Sequence, residues 1–135
     1  AAYRAVNTSM VKTYWELGQL IVEEEQQGKA RADYGKYLIA ELAKRLQQEY
    51  GSGFSKHSLW NYRQFFTEFP MLSALRRELT WTHYKLLMRV QNPEARTFYE
   101  QEAIKSGWNT RALERQINTF YFERMLASQD KKAIE

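Results

Sequence analysis

The stretch "GSGFSKHSLWNYRQFF" (residues 51–66) carries side chains suited to reading a polyanion. As a helix with Leu59, Tyr62, Phe66 and Phe69 on its apolar face, at +3, +4, +3 spacing, it turns His57, Trp60, Asn61 and Gln64 to the opposite face. Lys56 and Arg63 fall on the flank of that face. Asn and Gln amides pair bidentately with adenine, Lys and Arg bond guanine or phosphate, and Ser55 at the helix start can meet a phosphate. A helix face that meets only water is usually rich in Glu, Lys and Ala. Two readings stay open at this point: a nucleic-acid reading face, or the second buried side of an aromatic-rich helix whose Trp60 and Phe65 pack under neighbours.

The charge map sharpens the first reading. The net charge is +4, yet residues 1–54 carry seven basic and seven acidic groups, and residues 91–135 again seven of each. Residues 55–90 hold six basic groups (Lys56, Arg63, Arg76, Arg77, Lys85 and Arg89) against Glu68 and Glu78. The whole excess sits in the middle third and begins at the quoted helix, where a polyanion would feel it. Arg76, Arg77, Lys85 and Arg89 are expected to add phosphate contacts if the fold brings them to one side.

Enzymatic chemistry is thin. His57 and His83 are the only histidines and there is no cysteine, so neither a zinc site nor a thiolate site is expected. No HExxH, phosphate loop or GxGxxG occurs. The one D-x-K, at Asp130-Lys131-Lys132, lies in a polar tail without strands. His83 in "TWTHYK" is expected to cap or pack. No metal, no cofactor and no catalysis by this piece alone are the expectations. Two helix–turn–helix candidates arise: one is the second helix, the turn Gly51-Ser52-Gly53 and the quoted helix; the other, "EAIKSGWNTRALERQI", places Ala103, Gly107 and Leu113 at helix–turn–helix spacing, but Gln116 stands where an apolar residue belongs and Ile117 comes one step late. Glu114 lies between Arg111 and Arg115, so a structural hairpin is the expectation there.

The elements that must position these residues are helical. The chain has 135 residues, 44% hydrophobic and 27% charged, which suits one folded domain rather than a disordered segment. No apolar run approaches the roughly 20 residues of a membrane span, so no membrane partner is expected. Absence of cysteine suits a reducing, cytoplasmic setting. The first residues show neither an initiator Met nor a signal pattern, so the piece is expected to come from a longer chain. A first helix is expected over residues 3–27, with Tyr3, Val6, Met10, Tyr14, Leu17 and Ile21 as its stripe and Gly28 as its stop. Glu23, Glu24 and Glu25 sit at the negative end of its dipole, where a solvated acidic end is expected ahead of a salt-bridged or partner-facing one. Asp33 is expected to cap a second helix ending near Tyr50, with Leu38, Leu42 and Leu46 inward. Ser55 caps the third. A short apolar segment (Met71, Leu72, Leu75) follows Pro70. A brief helix is capped by Thr80 or Thr82, and the next starts with Asn92 and Pro93 and stops at Gly107. A last helix runs from about Thr110 towards Ala127. The expected fold class is all-α, six to seven helices with short connections, in a single domain over residues 1–135.

"YWELGQLIVEEEQQGKARADYGKYLIAELAKRLQQEYGSGFSKHSLWNYRQFFTEFP", "LTWTHYKLLMRV" and "NPEARTFYEQEAIKSGWNTRALERQI" closely resemble, in that order, the N-terminal domain of the YhcG-like bacterial proteins, long known as a domain of unknown function. The resemblance covers about Val6 to Ser128. It implies a helix–turn–helix-like module that targets or regulates a C-terminal PD-(D/E)xK nuclease-like domain, which this piece lacks. It carries no agreed DNA-contacting residues, so Ser55, Lys56, His57, Trp60, Asn61, Arg63 and Gln64 rest on helical geometry alone. The first functional expectation is a DNA-binding module. Its rival is an assembly module, a homodimer through the first helix or a docking surface for the nuclease domain.

Overall fold

The computed structural model describes residues 2–27 and 34–134; the expected stop at Gly28 and cap at Asp33 lie outside the described residues. Among those residues the fold is all-α, as expected, with no strand. Seven α-helices follow in order: α1 (Ala2–Gln27), α2 (Tyr34–Tyr50), α3 (Lys56–Glu68), α4 (Trp81–Met88), α5 (Pro93–Ser106), α6 (Thr110–Asn118) and α7 (Tyr121–Ile134). Short 3-10 turns at Ser52–Phe54 and Leu72–Ala74 precede α3 and α4. No described helix is long and apolar enough to cross a membrane. The packing groups the chain into two compact units, Ala1–Arg77 and Glu78–Glu135.

In the first unit α1 packs on α2 and α3, and α2 on α3. The buried residues are Val11, Trp15, Gly18 and Ile21 of α1, Ile39 and Ala43 of α2, and Leu59, Tyr62 and Phe65 of α3. The expected stripe of α1 holds at Ile21, with Tyr14 and Leu17 half-buried, but fails at its start, where Tyr3, Val6 and Met10 are 93%, 60% and 41% exposed. A Cβ at Gly18 would stand 2.0 Å from the Tyr62 carbonyl oxygen, so α1 and α3 meet backbone to backbone, and the contact seam must run through the smallest residue. On α2 the buried residues are Ile39 and Ala43, and Leu38, Leu42 and Leu46 stand on its flanks, half-buried. Trp15 reaches over α3, where its indole N–H donates to the Phe69 carbonyl at 2.7 Å. Tyr14 stacks on Tyr62 with ring centroids 4.4 Å apart.

In the second unit the expected caps are in place. Thr80 caps α4, Asn92 caps α5 with Pro93 behind it, and Gly107 ends α5 in the left-handed conformation at φ 66°. Asn109 then caps α6. The core gathers Tyr84, Leu87, Tyr99, Ala103, Leu113 and Phe122. The single last helix expected from Thr110 to Ala127 is instead broken into α6 and α7 at Phe120, which adopts φ 59° without being glycine. The break turns Phe122 inward against Phe98, 5.1 Å between rings, and lets its N–H donate to the buried Tyr99 hydroxyl at 3.0 Å. Arg124 Nε closes the end of α6 by donating to the Thr119 carbonyl at 2.9 Å.

Candidate nucleic-acid interface

The N-terminus of α3 is set by Ser55, whose hydroxyl oxygen accepts the Ser58 N–H at 3.2 Å. Such a cap contributes about 1 kcal/mol and fixes where the first turn points. That turn holds Lys56 and His57, both exposed, and no acid. A cation at the positive end of a helix dipole costs a few tenths of a kcal/mol, so helix stability does not ask for Lys56 there. One turn on, Trp60 is 38% exposed and Gln64 is exposed beyond it, with Asn61 half-buried at the edge. The sequence reading of this face is therefore resolved residue by residue. Phe65 belongs to the core at 0% exposure, whereas Trp60 does not pack under a neighbour as fully.

Arg63 also has a partner within the fold. Its Nε donates to Glu25 Oε1 of α1 at 2.7 Å, and the Glu25 side chain keeps only 15% of its exposure. That hydrogen bond, first among the causes, pushes the Arg63 pKa up. The guanidinium also lies 5.5 Å from the Trp60 ring centroid, a cation–π distance. Arg63 thus ties α3 to α1 and orients Trp60, and its charge is already engaged. Glu25, expected to be solvated, is the partner. The two residues are 38 positions apart, so no local pattern announces the pair.

Under this face Tyr62 is buried, 4% exposed, and its hydroxyl donates to the Gly53 carbonyl at 3.2 Å. Burial, then the neighbouring Tyr14 hydroxyl, pushes its pKa up to about 12. The folded state therefore holds the proton more tightly than the unfolded chain, whose tyrosine titrates near 10. Stability from this group is complete below about pH 10 and is lost as pH rises through about 12, by roughly 2–3 kcal/mol. Urea melts at about pH 9 and about pH 11.5 should show a larger alkaline loss for the wild type than for Tyr62→Phe.

The remaining expected contacts divide between the units. Arg76 and Arg77 belong to the first, and both are exposed. Lys85 and Arg89 belong to the second. Lys85 is exposed on the last turn of α4. Arg89 bonds Glu114 of α6 at 3.3 Å across an exposed surface. On α6 itself Arg111 and Arg115 face outward while Leu113 is buried. His83, expected to cap or pack, does both. Its Nδ1 accepts the Thr80 N–H at 3.0 Å, which places the ring proton on Nε2, donating to the Trp108 carbonyl at 2.8 Å.

The profile of the DUF1016 N-terminal domain family matches residues 1–124. The Escherichia coli (strain K12) protein named "Putative nuclease YhcG" is 39% identical over 163 aligned positions, which cover 97% of this chain and 44% of that protein. The chain thus spans less than half the length of the relative it matches. No solved structure matches it.

Proposed function

The chain belongs to the DUF1016 N-terminal domain family, and we propose that it acts as a non-catalytic DNA-binding module that targets or regulates an attached nuclease domain. The observation that carries the reading is the outward face of α3. Lys56, His57, Trp60 and Gln64 line one exposed side of a helix whose opposite side is core, in the third of the chain that holds the whole charge excess. A helix presenting a cation, an imidazole, an indole and an amide matches the chemistry of groove contacts. Ser55 positions it, and Arg63 serves as the strut that holds it against α1. The name of the relative supports a nuclease in the longer family proteins.

Fluorescence anisotropy of the 135-residue chain with a labelled random duplex, titrated at several salt concentrations, tests the reading. Micromolar or tighter binding that falls steeply with salt is expected. Lys56→Gln should weaken binding to every sequence and reduce the salt slope by about one unit. Charge reversal at Arg63 is the wrong probe, because it would set two carboxylates against each other at Glu25. Absence of binding at low salt would sink the DNA reading. It would favour the second reading, assembly through the apolar stripe of Tyr3, Val6 and Met10 that α1 leaves exposed; a homodimer or a docked nuclease domain would cover that stripe.

A further inference from the structure

A cavity of about 420 Å³ in the first unit is lined by Arg4, Ala5 and Thr8 of α1 and by Arg77. Arg4 and Thr8 stand one turn apart on the same helix face. Both arginines are exposed, and among the described residues neither has a hydrogen-bond or ion-pair partner. Thr8 is the telling residue. A helical threonine ordinarily donates its hydroxyl to the carbonyl one turn back, as Thr13 does to Ser9 at 2.9 Å and Thr67 to Arg63 at 2.9 Å. The Thr8 hydroxyl oxygen is buried and makes no hydrogen bond. An unsatisfied buried hydroxyl destabilises the free protein.

Two exposed arginines beside one pocket, unpartnered among the described residues, with the unsatisfied Thr8 hydroxyl buried behind its wall, suit a ligand rich in acceptor oxygens. A carboxylate offers two in one plane, whereas a phosphate offers several in a tetrahedron, which suits donors arriving from α1 and from the segment after the second 3-10 turn. We propose that this cavity is a phosphate-binding pocket, with Arg4 and Arg77 as charged donors and Thr8 as the neutral one. The Thr8 hydroxyl is sealed from solvent in the free protein. Binding therefore includes a change of its χ1 rotamer, between two wells that helices allow for threonine. The assignment of that phosphate to a nucleic-acid strand, at its 5′ end or within its backbone, rests on the DNA-binding reading above. The pocket does not rest on the α3 face and is probed without any duplex.

The test is an NMR titration of the isotope-labelled chain with inorganic phosphate against chloride at matched ionic strength. Amide shifts clustered at Arg4, Ala5, Thr8 and Arg77 are expected. Arg77→Gln should weaken phosphate binding about tenfold or more, while Lys56→Gln leaves it unchanged. Thr8→Val should weaken it too, yet raise the stability of the free protein by removing the unsatisfied hydroxyl, a sign that a merely structural threonine would not give. Scattered shifts, or unchanged phosphate affinity in folded Arg77→Gln, would overturn the proposal. Single strands ending in 5′-phosphate or 5′-hydroxyl then identify the source. A preference for the phosphorylated end, lost in Arg77→Gln, assigns the terminal group. Equal binding, likewise lost, assigns the backbone. Binding of neither strand through Arg77 overturns the nucleic-acid assignment.

Discussion

Gly18→Ala is expected to destabilise the first unit by about 3 kcal/mol or more, although alanine is the better helix former by about 1 kcal/mol. The sign is set by α3. A Cβ at position 18 would lie 2.0 Å from the Tyr62 carbonyl oxygen, 2.8 Å from its carbon and 3.0 Å from Phe66 Cβ. The two closest obstacles are backbone, so no rotamer relieves the clash and the helices must separate. Separation loosens the Tyr14–Tyr62 stack, the Trp15–Phe69 hydrogen bond and the Glu25–Arg63 pair, all of which span the same contact. A loss of this size is a large fraction of the roughly 5–15 kcal/mol that holds a domain together. Urea unfolding followed by far-UV circular dichroism measures it. Gly53→Ala is the control, since a Cβ there meets nothing within 4 Å. Equal midpoints for Gly18→Ala and wild type would mean that α1 and α3 do not cross at this point.

Replacement of His83 is expected to have the next largest effect, through hydrogen bonds rather than bulk. The ring is 5% exposed and joins the start of α4 to the turn between α5 and α6. Nδ1 accepts from the Thr80 N–H, the Thr80 hydroxyl lies 2.8 Å from the same nitrogen, and Nε2–H donates to the Trp108 carbonyl. His83→Ala leaves the Thr80 N–H and the Trp108 carbonyl without partners and opens space between helices. The expected cost is about 2–4 kcal/mol. His83→Gln separates the two roles. Glutamine is a usual partner at this position of a capping box, so it restores the bond to Thr80 but not the bridge to Trp108, and roughly half the loss should return. Hydrogen exchange at the amides of α4 and at Trp108 reads both. If alanine and glutamine cost the same, the bridge to Trp108 carries the whole effect and the cap carries none.

Much of this molecule is legible along the chain because helix ends are local events. Ser55, Thr80, Asn92 with Pro93, and Gly107 each announce a boundary through a side chain or a φ value that acts within a turn. The break at Phe120 is the exception. Neither glycine nor proline marks it, and it forms because Phe122 and Tyr99, 23 residues apart, pack and bond together. The candidate face on α3 was likewise readable in part. His57, Trp60 and Gln64 follow from helical spacing once Leu59 and Tyr62 are taken as core, while Asn61 is drawn towards the edge.

What the sequence determined by itself is the all-helical class, most helix ends, the outward set on α3 and the concentration of positive charge in the middle third, since each depends on residue type and local spacing. What only the tertiary structure decided is which neighbours each side chain meets. Apolar periodicity weighs large residues most heavily, and so points to Val6, Met10 and Leu42. Helices approach closest at small residues, so the seam of α1 runs through Gly18, and on α2 Ile39 and Ala43 are buried instead. Arg63 is also bonded to Glu25, which is distant in sequence and which nothing local announces. Arg4, Thr8 and Arg77 carry no joint signal in the chain at all, because a pocket is a relation between elements, and distance along the chain says nothing about it.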